Sequence, residues 1–242
     1  MVIGVRIMEN DSSKIQQKRI ADLVLEQLMD WIMDGKIRMG QKLNTEELAQ
    51  RLGVSRMPVR EALKTLEKQG IAESVPYVGS RVVKLTRSDV RQIYIMRRAL
   101  EPVAAYYTCE NVTPEDIKNI EEIQIKLETE MQKPNPSAKL IYIYNREFHF
   151  AIYEVSGFTK LCNTIKMLWD NLAFYKLIYG LTYVNDREAA NKMIEEHRSY
   201  IAELKAGNAD MLQKRLSDSL EKHQVDVPYK VSACIDDCID ED

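Results

Sequence analysis

The residues best suited to site chemistry in this chain are its few histidines and one asparagine. Asn145 and His149 are four residues apart, so on a helix both side chains project from the same face. His197 lies in a later predicted helix, and helical bundles assemble metal ligands from separate helices in this way. Two imidazoles and an amide oxygen can begin an octahedral or five-coordinate site for Zn²⁺, Ni²⁺, Fe²⁺ or Mn²⁺. The alternative is a neutral pocket whose histidines are hydrogen-bonded and hold no metal.

A second group of residues points to nucleic acid. Ser55, Arg56 and Arg60 begin a predicted helix, and Lys64 follows one turn later. The guanidinium fork of arginine matches two acceptors on guanine or on a phosphate. Small polar and basic residues at the start of a helix are what contact with base edges in the DNA major groove requires. For Lys64 and Lys68 a solvated helix face remains an equal alternative.

Hydrophobic spacing predicts the elements that position this second group. The predicted elements are helices over about 20–32, 44–53 and 55–69, followed by a hairpin with strands 71–75 and 81–85. Asn44 to Glu47 is predicted to be a capping box, and Pro58 falls in the first turn of the third helix. Helix, short helix, tight turn, helix and two-stranded wing form a winged helix-turn-helix, which places one helix in the major groove.

From Asp89 onward the pattern is helical throughout. The predicted helices cover about 88–110, 113–133, 137–156, 158–181, 186–206 and 208–226. We therefore predict a mostly α protein, with an N-terminal winged helix-turn-helix, a small β-hairpin wing and a C-terminal antiparallel bundle of about six helices. The predicted domains are a flexible N-terminal arm (1–14), the winged helix-turn-helix (15–86), an all-α domain (87–228) and an acidic disordered tail (229–242). Cys234 and Cys238 are expected to be unstructured within that tail, although their spacing also permits metal binding or oxidation.

Composition excludes several classes of protein. Of 242 residues, 45% are hydrophobic and 29% are charged, which is typical of a globular chain. No apolar run approaches a membrane span, no secretory signal is recognisable, and 4 Cys are too few for a disulfide framework, so we expect a cytoplasmic protein. Residues 1–87 carry 15 Lys and Arg against 11 Asp and Glu, whereas the remainder carries 19 against 26. This asymmetry suggests a polyanionic partner for the first part.

The front of the chain resembles a known family. The segment Leu43-Asn-Thr-Glu-Glu-Leu-Ala-Gln-Arg-Leu-Gly-Val-Ser-Arg-Met-Pro-Val-Arg-Glu-Ala-Leu-Lys-Thr-Leu-Glu-Lys-Gln-Gly70 is similar to the DNA-binding domain of GntR family bacterial transcription regulators, and the match covers about residues 16–85. The resemblance implies a double-stranded DNA operator as partner. One departure is Glu46, where the family often has an arginine that contacts phosphate.

The same resemblance implies which residues touch DNA. The implied contacts on the recognition helix and at the wing tip are Ser55, Arg56, Met57, Pro58, Arg60, Lys64, Gly79 and Arg81. The wing tip, Val78 to Arg81, is implied to reach the minor groove or the backbone. Family operators are two-fold symmetric, so the resemblance also implies a homodimer.

Residues 88–226 resemble the all-helical FCD-type effector domain of the FadR subfamily. Ile95 to Ala105, Asn145 to His149 and Glu196-His197 carry this resemblance. In that subfamily the bundle binds a small carboxylate, often beside a divalent metal held by one Asp and three His. The family's Asp corresponds to Asn145 here. Its third His corresponds to Ser219, and His223 lies one turn later.

Arg97 is the residue that the resemblance assigns to the effector, since family members use this arginine to reach the ligand carboxylate. The effector residues expected on this basis are Arg97, Asn145, His149 and His197, and the expected metal ligands are Asn145, His149, His197 and His223. The alternative for Arg97 is a pair with Glu101, one turn along the same helix. Tyr142, Trp169, Tyr175 and Tyr179 are at helical spacing and are more often core than pocket lining.

These observations predict a ligand-responsive transcription regulator, in the family's manner a repressor, and not an enzyme. The rival hypothesis is a helical metal-dependent enzyme that carries a DNA-binding module. No nucleophile elbow, P-loop or His-Glu-x-x-His motif supports it. A ligand-free architectural DNA-binding protein is the third reading, and it predicts that no cavity lies between Arg97 and His149.

Overall fold

The structure, a computed structural model, describes residues 19–172 and 183–234, and the side chains of the last helix as far as His223. The predictions for the arm at 1–14, for Tyr175 and Tyr179, and for Cys238 lie outside the described residues. The described helices include none that is both long enough and apolar enough to cross a bilayer.

The N-terminal part is a winged helix-turn-helix. Its elements are α1 (Ile20–Met33), α2 (Thr45–Leu52), α3 (Arg56–Lys68), β1 (Ala72–Val75) and β2 (Gly79–Val82). The two strands are antiparallel, with Ala72 opposite Val82. The apolar stripes of the three helices meet in one core, in which Leu28, Val59 and Leu66 are fully buried.

Side chains at the helix starts explain where α2 and α3 begin. The Asn44 side chain accepts hydrogen bonds from the backbone N–H groups of Glu46 and Glu47, as an N-cap should. The Glu47 carboxylate lies 3.8 Å from Arg51, so the predicted reciprocal capping box is a simple N-cap. Ser55 occupies the N-cap position of α3 but makes no capping bond with its side chain, and it is exposed.

The C-terminal part is helical. Its elements are α4 (Arg87–Asn111), α5 (Pro114–Met131), α6 (Ala138–Tyr153), a 3-10 turn (Glu154–Ser156), α7 (Thr159–Asn171), α8 (Arg187–Ala206) and α9 (Ala209–Cys234). Reciprocal capping boxes open α4 at Thr86 and α5 at Thr113. Phe148, Tyr153 and Trp169 are among the largest side chains of its fully buried core.

The largest differences from the sequence-based expectations concern three elements. β2 covers Gly79–Val82, so it begins two residues and ends three residues before the predicted strand, and the turn is short. α7 ends at Asn171, well before the predicted end at 181, and the Asn171 side chain bonds backbone carbonyls at this end. α9 continues through Pro228 to Cys234. The prediction of a disordered tail was therefore wrong for residues 229–234, which include Cys234.

A seam of direct contacts joins the two parts. Met39, which precedes α2, packs in one buried cluster with Tyr94 of α4 and Leu168 of α7. The Lys139 ammonium lies 2.6 Å from the carboxylate of Asp30 across the same boundary. Together with the short linker before α4, these contacts hold the helix-turn-helix against the bundle.

Candidate functional site

The start of α3 presents a polar and basic surface. Ser55, Arg56 and Arg60 are exposed, as is Lys64 one turn later, whereas Val59 on the opposite side of the helix is fully buried. The helix therefore turns its apolar face to the core and its cationic face to solvent. This arrangement is what a recognition helix needs, because base edges are reached from the exposed side. The remaining contacts implied on this helix differ in exposure, since Met57 is exposed and Pro58 is half-buried.

Glu46 interacts with one of these cations. The Arg56 guanidinium donates to the Glu46 carboxylate, and both side chains are exposed. An exposed ion pair of this kind contributes about 0–1 kcal/mol to stability. Its main consequence is electrostatic, because Glu46 offsets the charge of Arg56 at the surface where a phosphate would bind.

The wing has a residue that the sequence analysis did not single out. Tyr77 lies at the turn between the strands with a φ of 64°, and its side chain is fully exposed. Gly79 is exposed at the start of β2, and Arg81 pairs across the hairpin with Glu73 at 2.7 Å. The predicted strands left residues 76–80 for the turn, but only the backbone conformation shows that Tyr77 forms its tip.

A central cavity of about 40 Å³ lies between α4, α6, α7, α8 and α9. Its lining includes Tyr94, Arg97, Glu101, Asn145, His149, Trp169, Glu196, His197, Ser219 and His223. The structure thus brings the effector and metal candidates together at one cavity. These candidates come from α4, α6, α8 and α9. An architectural protein was expected to lack a cavity between Arg97 and His149, so the observed cavity argues against that reading.

Arg97 and Glu101 form a buried ion pair in the cavity wall. Arg97 Nε and Nη2 donate to the two Glu101 carboxylate oxygens at 2.5 and 3.3 Å. The same carboxylate accepts from Trp169 Nε1 and from the Tyr153 hydroxyl, each at 2.7 Å. Burial alone would lower the pKa of Arg97, but the adjacent Glu101 more than offsets this and raises it. The guanidinium is therefore charged, and Glu101 balances its charge and holds it in place. This pair with Glu101 is the alternative predicted for Arg97.

The hydrogen bonds of two histidines determine their tautomers. Tyr153 donates its single proton to Glu101, so at 3.2 Å from His149 Nδ1 its oxygen acts as the acceptor. His197 Nδ1 lies 2.8 Å from Gln124 Oε1, which can only accept. Nδ1 therefore carries a proton in both rings. Burial, followed by His149 and His223, holds the pKa of His197 well below its usual value, so this ring is neutral.

These residues do not make a complete metal site. The His149 and His197 ring centroids are 5.0 Å apart, and His223 Nδ1 lies 3.5 Å from the Ser219 hydroxyl. Within residues 19–172 and 183–223, no group of three or more His, Cys, Asp or Glu side chains is placed to hold a metal ion. Asn145 and Ser219 stand at two of the positions expected to supply ligands, so the carboxylate and the third imidazole that the resemblance implied are absent from those positions.

Asn171 connects the cavity wall to the recognition helix. The Asn171 amide faces two backbone carbonyls, those of Met167 in α7 and of Gln69 at the end of α3, and donates to both when its nitrogen is turned toward them. A Cβ on Gly70 would lie 2.7 Å from the same amide, and Gly70 has a φ of +71°. The sequence offered no signal for this contact, because it joins residues about a hundred positions apart in the chain that share no motif.

Two family models match most of the chain. Residues 20–82 match the model described as bacterial regulatory proteins, gntR family, and residues 92–222 match the FCD domain model. The first match contains α1, α2, α3 and the wing. The second contains the side chains that line the cavity from α4 to α9, apart from His223.

Similar proteins include several that are named as HTH-type transcriptional regulators. McbR of Escherichia coli, an HTH-type transcriptional regulator, is 30% identical over 78% of this chain and 84% of its own length. YdhC of Bacillus subtilis, named an uncharacterized HTH-type transcriptional regulator, is 28% identical over 78% of this chain and 83% of its own. A solved structure of E. coli McbR/YncC superposes with a TM-score of 0.75 at 25% identity, covering 89% of this chain and all of that one.

Proposed function

Because this chain belongs to the gntR family of bacterial regulatory proteins and carries an FCD domain, we propose that it is a transcription regulator whose affinity for a two-fold symmetric operator is controlled by a small molecule bound in the central cavity. DNA binding and the regulation of transcription belong to the family. The ligand-responsive step is supported mainly by one observation, the contact of Asn171 with the end of α3.

The proposed DNA-reading surface consists of the start of α3 and the wing. Arg60 and Ser55 are exposed at the start of α3, and Arg81 is exposed on β2. The Ser80 hydroxyl donates to the Glu67 carboxylate at 2.7 Å, which ties the wing to the recognition helix. A base-reading helix and a backbone-contacting wing would then move as one unit over the duplex.

The proposed signal passes along α7. Trp169 lines the cavity and bonds Glu101, and Asn171 lies two residues further along the same helix. The Gln69 carbonyl is one of the unpaired acceptors at the end of α3, so Asn171 caps the recognition helix from the other part of the chain. A ligand that favours one arrangement of Trp169 would thereby bias the orientation of α3 and the spacing of two recognition helices in a dimer.

Selection of duplexes from a random pool tests the DNA-binding half of the proposal. We expect the wild-type protein to enrich a two-fold symmetric site with half-sites about one helical turn apart, because a single recognition helix gives little affinity. Light scattering at micromolar concentration should give twice the mass of the chain. A monomer that enriches a single half-site would contradict the homodimer, and no enrichment would contradict operator binding itself.

A double-mutant cycle tests the link between α7 and α3. Gly70→Ala places a Cβ against the Asn171 amide and is expected to lower both the free energy of unfolding and the operator affinity. Adding Asn171→Ala removes the clash and should recover part of the loss, with a coupling energy of about 0.5–3 kcal/mol. Urea unfolding and gel-shift titration of the four proteins measure it.

Gly53→Ala is the matched control for this cycle. Gly53 also ends a helix at positive φ, but a Cβ there would meet nothing within 4 Å. Gly53→Ala therefore measures only the cost of placing a Cβ at positive φ, about 1–2 kcal/mol, without any contact across the seam. If the Gly70 and Asn171 effects simply add, or if Gly70→Ala behaves like Gly53→Ala, the two residues do not couple the parts.

A further inference from the structure

The cations along the exposed face of α3 differ in their partners. The Arg56 guanidinium donates through Nη2 to Glu46 Oε1 on the neighbouring helix α2. Arg60 and Lys64 follow at four-residue intervals on the same face, and neither forms a hydrogen bond or an ion pair with another side chain of the described residues. Arg56 is therefore held by an acid before any DNA is bound, whereas the other two cations are not.

Glu46 approaches Arg56 from a fixed position. The backbone N–H of Glu46 donates to Asn44 Oδ1 at 2.9 Å, which anchors the first turn of α2. Leu48 of α2 and Val59 of α3 are buried in the same core cluster, so close packing fixes the separation of the two helices. The two charged side chains themselves are more than half exposed to solvent. The pair thus lies on the DNA-reading surface and is positioned by the core beneath it.

The hydrogen bond to Glu46 orders the Arg56 side chain without using all of its donors. Only Nη2 is engaged by the carboxylate, and an arginine fork has further N–H groups that match O6 and N7 of guanine. A long side chain that is already ordered loses less conformational entropy when it binds. Glu46 therefore leaves Arg56 able to contact a base edge and lowers the entropic cost of that contact.

The charge of Glu46 has the opposite effect on phosphate contacts. Binding to any duplex, whatever its sequence, depends on cations that meet phosphates and release counterions. An anion beside Arg56 weakens this attraction on every duplex alike. A contact between Arg56 and the correct base restores binding free energy on the operator alone, because phosphates carry no sequence information. One acidic side chain can thus disfavour the wrong DNA more than the right DNA.

We propose that Glu46 is a positioning residue for sequence specificity, which holds Arg56 toward a guanine edge and reduces its attraction to phosphates. The chain then gains selectivity and gives up part of its total affinity for DNA. The inference rests on the proposed function in taking the start of α3 as the DNA-reading surface. The family resemblance marked Glu46 only as a departure, and it assigned no role to this acid.

Two substitutions of Glu46 separate its charge from its hydrogen bond. Glu46→Ala removes both, whereas Glu46→Gln removes the charge and keeps an oxygen that can accept from Arg56. Gel-shift titrations over a range of salt compare the symmetric site that wild type enriches with a shuffled duplex of equal length. For Glu46→Ala we expect affinity for the shuffled duplex to rise about five-fold at low salt and its salt dependence to steepen. The ratio of operator to shuffled affinity should fall about ten-fold, and Glu46→Gln should retain part of it.

Selection from a random pool shows whether Glu46 acts through Arg56. Arg56→Ala should lose the preference for guanine at one position of each half-site, and Glu46→Ala should relax that same position. In the Arg56→Ala background, Glu46→Ala should leave the affinity ratio unchanged. Glu47→Ala is the matched control, because it removes the next acid in the first turn of α2, which lies beside Arg51 instead. It should keep the wild-type ratio and the wild-type site.

Several results would overturn the proposal. These are an unchanged ratio in Glu46→Ala, an equal fall in Glu47→Ala, and a relaxed position different from the one that Arg56→Ala loses. The last result would mean that Glu46 contacts a base itself. If wild type enriches no site at all, the proposed operator binding fails and this inference fails with it, so the two failures are distinguishable. Far-UV circular dichroism should show wild-type folding in every variant, since the replaced side chains are exposed.

Discussion

Replacing Glu101 with alanine is expected to lower the free energy of unfolding of the helical part by about 3–5 kcal/mol, the largest stability effect of any single change proposed here. The substitution leaves the Arg97 charge buried without its counter-ion. It also removes the acceptor of Trp169 Nε1 and of the Tyr153 hydroxyl, which are both buried. Urea unfolding, followed by Trp169 fluorescence in a Trp31→Phe background, measures this loss.

Glu221→Ala provides the control for this prediction. The Glu221 carboxylate pairs with Arg98, the neighbour of Arg97, at 3.1 Å, but both side chains are partly exposed. The same substitution there should cost less than about 1 kcal/mol, because water screens the pair and solvates the remaining charge. Equal losses in the two variants would show that the Arg97–Glu101 pair contributes no more than a surface contact.

Arg60→Ala is expected to weaken operator binding by about 1–3 kcal/mol without changing the fold. Arg60 is exposed one turn into α3, where its fork can meet a guanine or a phosphate. A base contact should also relax the sequence preference at one operator position. A phosphate contact should instead weaken all duplexes alike and reduce the salt dependence by about one charge. Gel-shift titrations at several salt concentrations distinguish the two.

Arg198→Ala is the matched variant for Arg60→Ala. Arg198 is 64% exposed on α8 in the helical part, so its loss changes the net charge equally but leaves the DNA-reading surface intact. Its operator affinity should stay near that of wild type. If Arg60→Ala also binds like wild type, α3 does not read the operator through this residue.

The fold was predictable where the information is local. Apolar residues at helical spacing placed α1, α3 and the helices of the bundle, and Thr113 and Asn44 marked helix starts through bonds to backbone groups within three residues. The end of α7 was not predictable in this way. Its terminal residue, Asn171, is held by a carbonyl of α3, and helical spacing carries no information about such a contact.

The same distinction applies to the candidate site. Helical spacing placed Asn145 and His149 on one face, and the structure places both at the cavity. The spacing of Arg97 and Glu101 suggested a pair within one helix. Only the packing of Trp169 and Tyr153 around the Glu101 carboxylate makes this pair a buried one, whose loss is expected to cost far more stability than the loss of a surface pair. Burial depends on several helices at once, so it is set by the tertiary structure.

The contact between Gly70 and Asn171 also has a consequence for protein engineering. A chimeric biosensor that combined the DNA-reading half of one relative with the ligand-sensing half of another would have its cut in the short connection before α4. In this protein such a cut would separate Gly70 and Gln69 from Asn171, and Asp30 from Lys139. A chimera that keeps the ligand-binding residues but loses these matched pairs should still bind both the ligand and DNA. Its affinity for DNA should no longer respond to the ligand. The unit to transplant is therefore the ligand-sensing half together with the surface of the DNA-reading half that it contacts.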